Sequence, residues 1–386
     1  MTHRTEAAPF RPFFVFAALD AMLGGMVWTP PGQALAGLAE IAPGEWHRNI
    51  LLFGTVPEIL AGFLLTALPR WTKQGAVSQT FIRSLAGIWL LGRTVFLIVG
   101  QSAGLAFFGG FVLFLIVVLG KAVVAGRDRR NRKILLLLGA YCAAIVLTAT
   151  DWQPQMALRV ALAAVLGLVM VIGGRVVPAL TEAYLQKTGG LVPGAPSVMV
   201  ERLSALFACS ALAAWVAAPQ AQITGAACAL AAISQAVRLA QWSGWRTRAS
   251  AAILVLHIGY GWIVAGFVLL AAHAIAPAVI DRAAAVHAWT VGAVGTMALG
   301  IMASMARKHA GRAFASSWQA TAAFLAVSAS ALARLLAEAG PGPAWLSISG
   351  TLWIAAFALF IAALVRMRPV GSALESSEGK GRAQSG

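Results

Sequence analysis

The residues most able to do chemistry in this sequence lie where an apolar chain should carry none. The stretch GEWHRNILLFGTVPEILAGFLLTALPRWT, 44–72, puts a Trp-His pair at the mouth of an apolar helix and a lone Glu58 halfway along it. A carboxylate at that depth in lipid is costly, and by default it marks a functional site. His47, Leu51, Gly54, Glu58 and Gly62 are spaced at 0, 4, 7, 11 and 15 residues, which lays them along one helical face. Gly54 and Gly62 let a neighbouring helix or a flat ligand approach the backbone. Pro57 has no backbone donor, so a kink is expected beside Glu58, with the Phe53 carbonyl left without its helical partner. Glu58 sits ~16 Å along the axis from His47 at the helical rise per residue, near the bilayer midplane.

Asp20 and Arg93 are the two other ionisable groups expected at similar depth. An Arg93–Glu58 bridge would lock helices together and keep the carboxylate charged. A proton path through Asp20, Glu58 and Arg93 is the functional reading of the same residues, and sequence alone ranks the two level.

The chain has six histidines. His3 lies in the terminal segment and His273 in a loop, AAHAIAP, where solvation is expected. His47 and His287 stand at the outer ends of their spans and could approach one another. His257 falls ~10 Å inside the cytoplasmic end of its span, and His309 is in a cytoplasmic loop, KHAGR. Imidazole in an apolar bundle is the usual axial ligand of haem and also suits copper. Glycines in LHIGYGW and HAWTVGAVG would leave room beside His257 and His287 for a porphyrin face. Against that, a lone membrane histidine is more often a satisfied polar contact, and these four show no HxxxH spacing. Arg175 in VIGGRVVPAL could hold a carboxylate or propionate bidentately, or could snorkel to the interface.

These residues need an apolar scaffold, and the composition supplies one. The 386 residues are 60% hydrophobic and only 11% charged, with a mean hydropathy of +0.80. Soluble domains carry roughly a quarter charged residues. Segments of about 20 apolar residues occur at 12–29, 50–68, 83–100, 104–124, 134–150, 156–179, 200–218, 222–240, 250–271, 285–305, 318–336 and 345–365. The expected fold is therefore an all-α polytopic integral membrane protein of about twelve transmembrane helices. One domain, 1–370, is expected to hold them all. The connection 180–199 divides it into halves 1–180 and 200–370, and 371–386 reads as a disordered, Gly/Ser-rich cytoplasmic tail. No cleavable signal peptide is expected, because THRTEAAPFRP runs straight into a retained span.

The net charge of +16 could suggest nucleic acid, but Lys and Arg concentrate in alternate loops, such as Lys121 to Lys133 and Arg307 to Arg312. That is the positive-inside pattern. It places both termini in the cytoplasm and reports contact with the lipid bilayer and its anionic headgroups, with no nucleic-acid partner. Tryptophans such as Trp46, Trp152, Trp242, Trp289, Trp318 and Trp345 fall near expected span ends, as interfacial rings do. Cys142, Cys209 and Cys228 are isolated, form no CxxC, and read as small core residues. The absence of GxSxG, Walker A and Rossmann glycine motifs argues against serine hydrolysis and ATP-driven transport.

Several segments together resemble the NnrS family of membrane haem and copper proteins. They are PFRPFFVFAALDAML, EWHRNILLFG with AGFLLTALPRWT, IWLLGRTVF, GGRVVPALTEAYL, VLHIGYGWIVAG and VHAWTVGAVGTMALGIMASMARKHAGR, in the family's order. The resemblance implies a bacterial inner-membrane protein of twelve spans that binds haem b. It also implies a role in nitric oxide and nitrosative stress, with nitric oxide or iron-nitrosyl species as the small ligand and an electron donor yet to be identified. It implies haem-dependent redox chemistry as one possible activity and settles no reaction. His47, His257, His287 and His309 fall on motif histidines, and Arg93 and Arg175 on motif arginines. The family's WHAHE pattern is WHRN followed by Ile here, so Asn49 and Ile50 replace a second His and a Glu. A copper ion held by that pair would lose two ligands, so the resemblance points to haem before copper. Two rival readings stand beside it: a proton-coupled secondary transporter without haem, suggested by a midplane Glu in a kinked helix, and a scaffolding or sensing membrane protein.

Overall fold

The structure is a computed structural model and describes residues 9–38, 42–72, 77–126, 129–312, 314, 316–340 and 342–367. The segment 371–386, with Lys73 and Arg127, lies outside the described residues. Among these the secondary structure is entirely helical. The elements are α1 (Phe10–Met26), α2 (Pro30–Leu38), α3 (Pro43–Arg48), α4 (Val56–Thr72), α5 (Gln79–Ile98), α6 (Gln101–Ala125), α7 (Arg132–Ala149) and α8 (Pro154–Thr188). They continue as α9 (Val198–Ala217), α10 (Gln222–Gln241), α11 (Ala251–Ile275), α12 (Arg282–His287), α13 (Thr296–His309), α14 (Trp318–Ala339) and α15 (Pro343–Arg366). A π-helical stretch, Asn49–Thr55, joins α3 to α4, and another, Ala288–Gly295, joins α12 to α13. With those joins, 11 helices are long and apolar enough to cross a membrane, or up to 12 if the bent pair α1–α2 counts as one span.

The first span differs from expectation. It does not run straight through 12–29 but breaks after Met26 and turns by 78° into α2. Pro30 disfavours helical backbone at Thr29, whose hydroxyl donates to the Met26 carbonyl at 2.7 Å and accepts from Gly32 N–H. α8 is longer than expected and runs through 180–188. Pro154 starts it, Pro178 is absorbed within it, and Gly189 ends it with φ 70°. Ser78, Asp281 and Ser317 cap α5, α12 and α14 through their side chains.

Two apolar cores hold the bundle. One gathers α4 to α7 around Phe53, Trp89 and Phe108, and the other gathers α9 to α15 around Trp289, Phe267 and Phe357. α1 and α8 contribute to both: Phe13 and Val165 to the first, Phe14 and Leu166 to the second. α15 returns to α1, where Trp353 Nε1 donates to the Ala21 carbonyl at 2.8 Å. Ser330 and Ser349 exchange hydrogen bonds between α14 and α15. Large apolar side chains that stay exposed, such as Ile98, Leu136 and Ile223, fit a surface facing lipid.

One cysteine sits elsewhere than expected, and the tryptophans differ in burial. Trp242, directly after α10, and Trp289 are buried inside the bundle, whereas Trp152, Trp245 and Trp318 are exposed. Small residues explain it: the Trp289 ring lies against Gly266, where a Cβ would collide with it. Cys142 and Cys228 are buried, but Cys209 is exposed on the bundle surface.

Candidate ligand cavity between the two π-bulged helices

The two π-helical stretches begin at equivalent points. Each begins beside a histidine: His47 is the next-to-last residue of α3, one before Arg48, and His287 ends α12. π-bulges widen a helix by a residue and recur at functional sites. Here they turn both spans so that His47 and His287 line one cavity of about 340 Å³. That is within the ~300–1,000 Å³ range of ligand pockets. A smaller void of about 30 Å³ behind the rings is also bounded by both.

Each ring is oriented by its own anchor. His47 Nδ1 lies 2.8 Å from the Gly24 carbonyl, and Trp28 meets the ring edge-on at 5.4 Å. His287 Nδ1 lies 2.8 Å from the Ala283 carbonyl and 3.2 Å from Glu338 Oε1. Glu338 is in turn held by Arg334 at 2.7 Å. Because the carbonyls can only accept, Nδ1 carries the proton in both rings and Nε2 keeps the lone pair. A carbonyl or carboxylate behind Nδ1 is the usual arrangement behind a metal-bound imidazole. Glu338 and Arg334 carry no signal in the sequence, because ARLLAEAG has no spacing that ties it to a distant histidine.

The walls are apolar: Leu51, Ile59, Leu162, Val294 and Phe357 among others, with Arg48 and Arg159 as cations. Imidazole for iron, guanidinium for carboxylate side arms and apolar walls for a macrocycle are the groups haem requires. The residues present therefore fit haem. The glycines make little of the room. Gly292 is filled by the Trp262 ring, Gly295 by Trp353 and Gly259 by Met297, while Gly261 meets only Leu239 at 3.8 Å and Gly295 still borders the cavity. The space opens instead between α3–α4, α8 and α12–α13. Asn49 and Ile50 face away from it. Asn49 donates to Gln101, and Ile50 is fully buried in the first core.

The π-bulge also splits the expected single face of the second span. An extra residue in a turn rotates the rest of the helix by ~100°. His47 and Leu51 look into the cavity, whereas Gly54 and Glu58 look toward α1 and α5. Arg93 pairs with Asp20 there, packed over Gly54, and not with Glu58. The Arg93 guanidinium also lies 4.9 Å from the Phe108 ring and 5.5 Å from Phe96. Glu58, 1% exposed, accepts from Trp89 Nε1 through one oxygen, and its other oxygen has no partner among the described residues. The π register brings the Leu52 carbonyl opposite Pro57. Val56 N–H reaches back five residues to Leu51, so in that register Leu52 faces Pro57, which cannot donate. The Tyr141 hydroxyl donates to Leu52 instead.

The other histidines lie elsewhere. His309 ends α13, ~33 Å along the same span from His287 at the helical rise, with its ring 4.8 Å from that of Phe10. His257 packs against Gly244, and its Nε2 lies 2.8 Å from the Thr181 hydroxyl. His273 belongs to α11 and is half-buried, with Nδ1 2.6 Å from the Ile280 carbonyl. Among the described residues no three His, Cys, Asp or Glu converge as one metal site. Arg175 lies at the far end of α8, bonded to the Asn131 side chain and the Arg130 carbonyl at 2.7 and 2.8 Å.

A family model described as NnrS protein matches residues 5–368 of the chain. None of the curated proteins compared matches it.

Proposed function

Because the chain belongs to the NnrS family, we propose that it is a bacterial inner-membrane haemoprotein of nitric oxide response, with its ligand cavity between His47 and His287. The observation that carries this reading is the pair of imidazoles on one apolar cavity, each with Nδ1 tied to a carbonyl. Haem b, when bound, supplies an iron that can take nitric oxide or pass an electron. His47 and His287 would hold it through Nε2. Arg48 and Arg159 would face its carboxylates, and the Leu, Ile and Val walls would exclude water. Asp20, Glu58 and Arg93 stand on the other face of the second span, a helix diameter of ~10 Å away. We assign them to proton handling and charge balance. Copper has a weaker case, since Asn49 and Ile50 are committed to packing.

The test is a reduced-minus-oxidised spectrum with a pyridine haemochrome assay on purified protein, followed by nitric oxide addition. About one b-type haem per chain, lost in His47→Ala and His287→Ala, supports the reading. Full haem content in both variants overturns the ligand assignment.

One observation favours a second reading. A further cavity, lined by Phe63, Ile172 and Ile301, continues the seam of the first. Ile59 and Phe63 are one helical turn apart, and aligned cavities are what a transporter needs. No haem after expression with haem supplied, together with proton-coupled uptake, would select the transporter.

A further inference from the structure

The second cavity has a chemistry of its own. It measures about 330 Å³ and lies between α4, α8 and α13, at the opposite end of the bundle from His47. Its lining carries charge of one sign. Arg175 and Lys308 reach it, with the hydroxyls of Thr66 and Ser304, and no carboxylate is among the described residues that line it. Arg175 is held in place by Asn131 and Arg130. Directly behind the wall, Arg307 is 1% exposed and donates to Ser304 Oγ at 2.8 Å. Among the described residues its Nε and Nη1 meet no acceptor. Ser304 accepts from Arg307 and lines the cavity, so its own O–H is left to donate.

Burying a guanidinium without an acid is costly. Nearby anionic charge offsets that cost, and a lining of two cations and the Ser304 hydroxyl accepts it with charge-assisted hydrogen bonds, the Thr66 hydroxyl being committed to the Gly62 carbonyl at 2.7 Å. We propose that this cavity binds an oxyanion, with Arg175, Lys308 and Ser304 contacting it and Arg307 adding charge from behind. The shared chemistry is a compact group of anionic oxygens. It could come from a soluble inorganic oxyanion or from the phosphate of an anionic lipid headgroup at the bundle end. The proposal needs no cofactor in the first cavity.

The test uses the full chain in detergent with zwitterionic lipid. The melting midpoint is titrated with nitrate and with inorganic phosphate at constant ionic strength set by chloride, and separately with phosphatidylglycerol. A saturable rise is expected with at least one probe. Lys308→Gln combined with Ser304→Ala should weaken that response about tenfold, and Lys308→Gln alone, which keeps the Arg307–Ser304 bond, should weaken it while leaving the unliganded midpoint and haem content near the parent's. His47→Ala should keep the anion response, which separates failure of this site from failure of the haem reading. A response to free oxyanion alone identifies a soluble ligand, and a response to the lipid alone identifies a headgroup. If no probe acts beyond chloride, or the double variant titrates like the parent, the proposal is wrong.

Discussion

At the scale of residues, ligand capacity is set by what stands behind each ring. Glu338 and the Ala283 carbonyl both contact Nδ1 of His287, so Glu338→Gln should weaken haem binding without touching the ligand. Loss of such an outer partner typically costs 10–100-fold in affinity. Titration with limiting haem should show His287→Ala worst, Glu338→Gln intermediate and His309→Ala like the parent. The Asp20–Arg93 pair carries a different expectation. Removing one partner strands a buried charge, at about 3–5 kcal/mol, whereas replacing both with apolar residues leaves none. Asp20→Leu should therefore melt well below the parent in detergent, and Asp20→Leu with Arg93→Leu should recover much of the loss. A double variant as unstable as the single one would refute the pairing.

At the scale of elements, Pro57 and the π-bulge are one device. The bulge rotates the His47 turn toward the cavity, and Pro57 leaves the Leu52 carbonyl to the Tyr141 hydroxyl. Tyr141→Phe should cost about 1–3 kcal/mol, the penalty for an unsatisfied buried carbonyl. In a Pro57→Ala background a backbone donor is restored, so the same change should cost less. A double-mutant cycle on thermal melts measures the coupling, and additive losses would rule the device out. Both the proline and the histidine spacing are legible in the sequence. The bulge is not, because it depends on which carbonyls find partners on α7.

At the scale of the whole molecule, one seam between the second span, α8 and the tenth span carries both cavities. The first ends near Ile59 and Ala298, and the second begins near Phe63 and Ile301. The positive-inside pattern predicts that the Lys308 end faces the cytoplasm. In right-side-out vesicles lacking the native cysteines, a membrane-impermeant thiol reagent should therefore label Thr290→Cys and spare Ser304→Cys. Inverted vesicles should reverse the result. Labelling of both from one side would show an open passage and favour the transporter.

The sequence by itself determined the class of the protein. An apolar run of some 20 residues can satisfy its backbone in lipid only as a helix, so span number and helical content follow from composition. It also marked Asp20, Glu58, Arg93, Arg175, His47, His257, His287 and His309 as candidates, without ranking a functional role above a structural one. Only the tertiary structure decided their partners. Arg93 chose Asp20 over Glu58, His287 found Glu338, and His47 and His287 came to line one cavity while His257 and His309 stayed apart. Spacing along one helix constrains neighbours on that helix, but contacts between helices depend on rotation and order in the bundle. Local irregularities such as the two π-bulges set that rotation, and they arise from packing rather than from residue type.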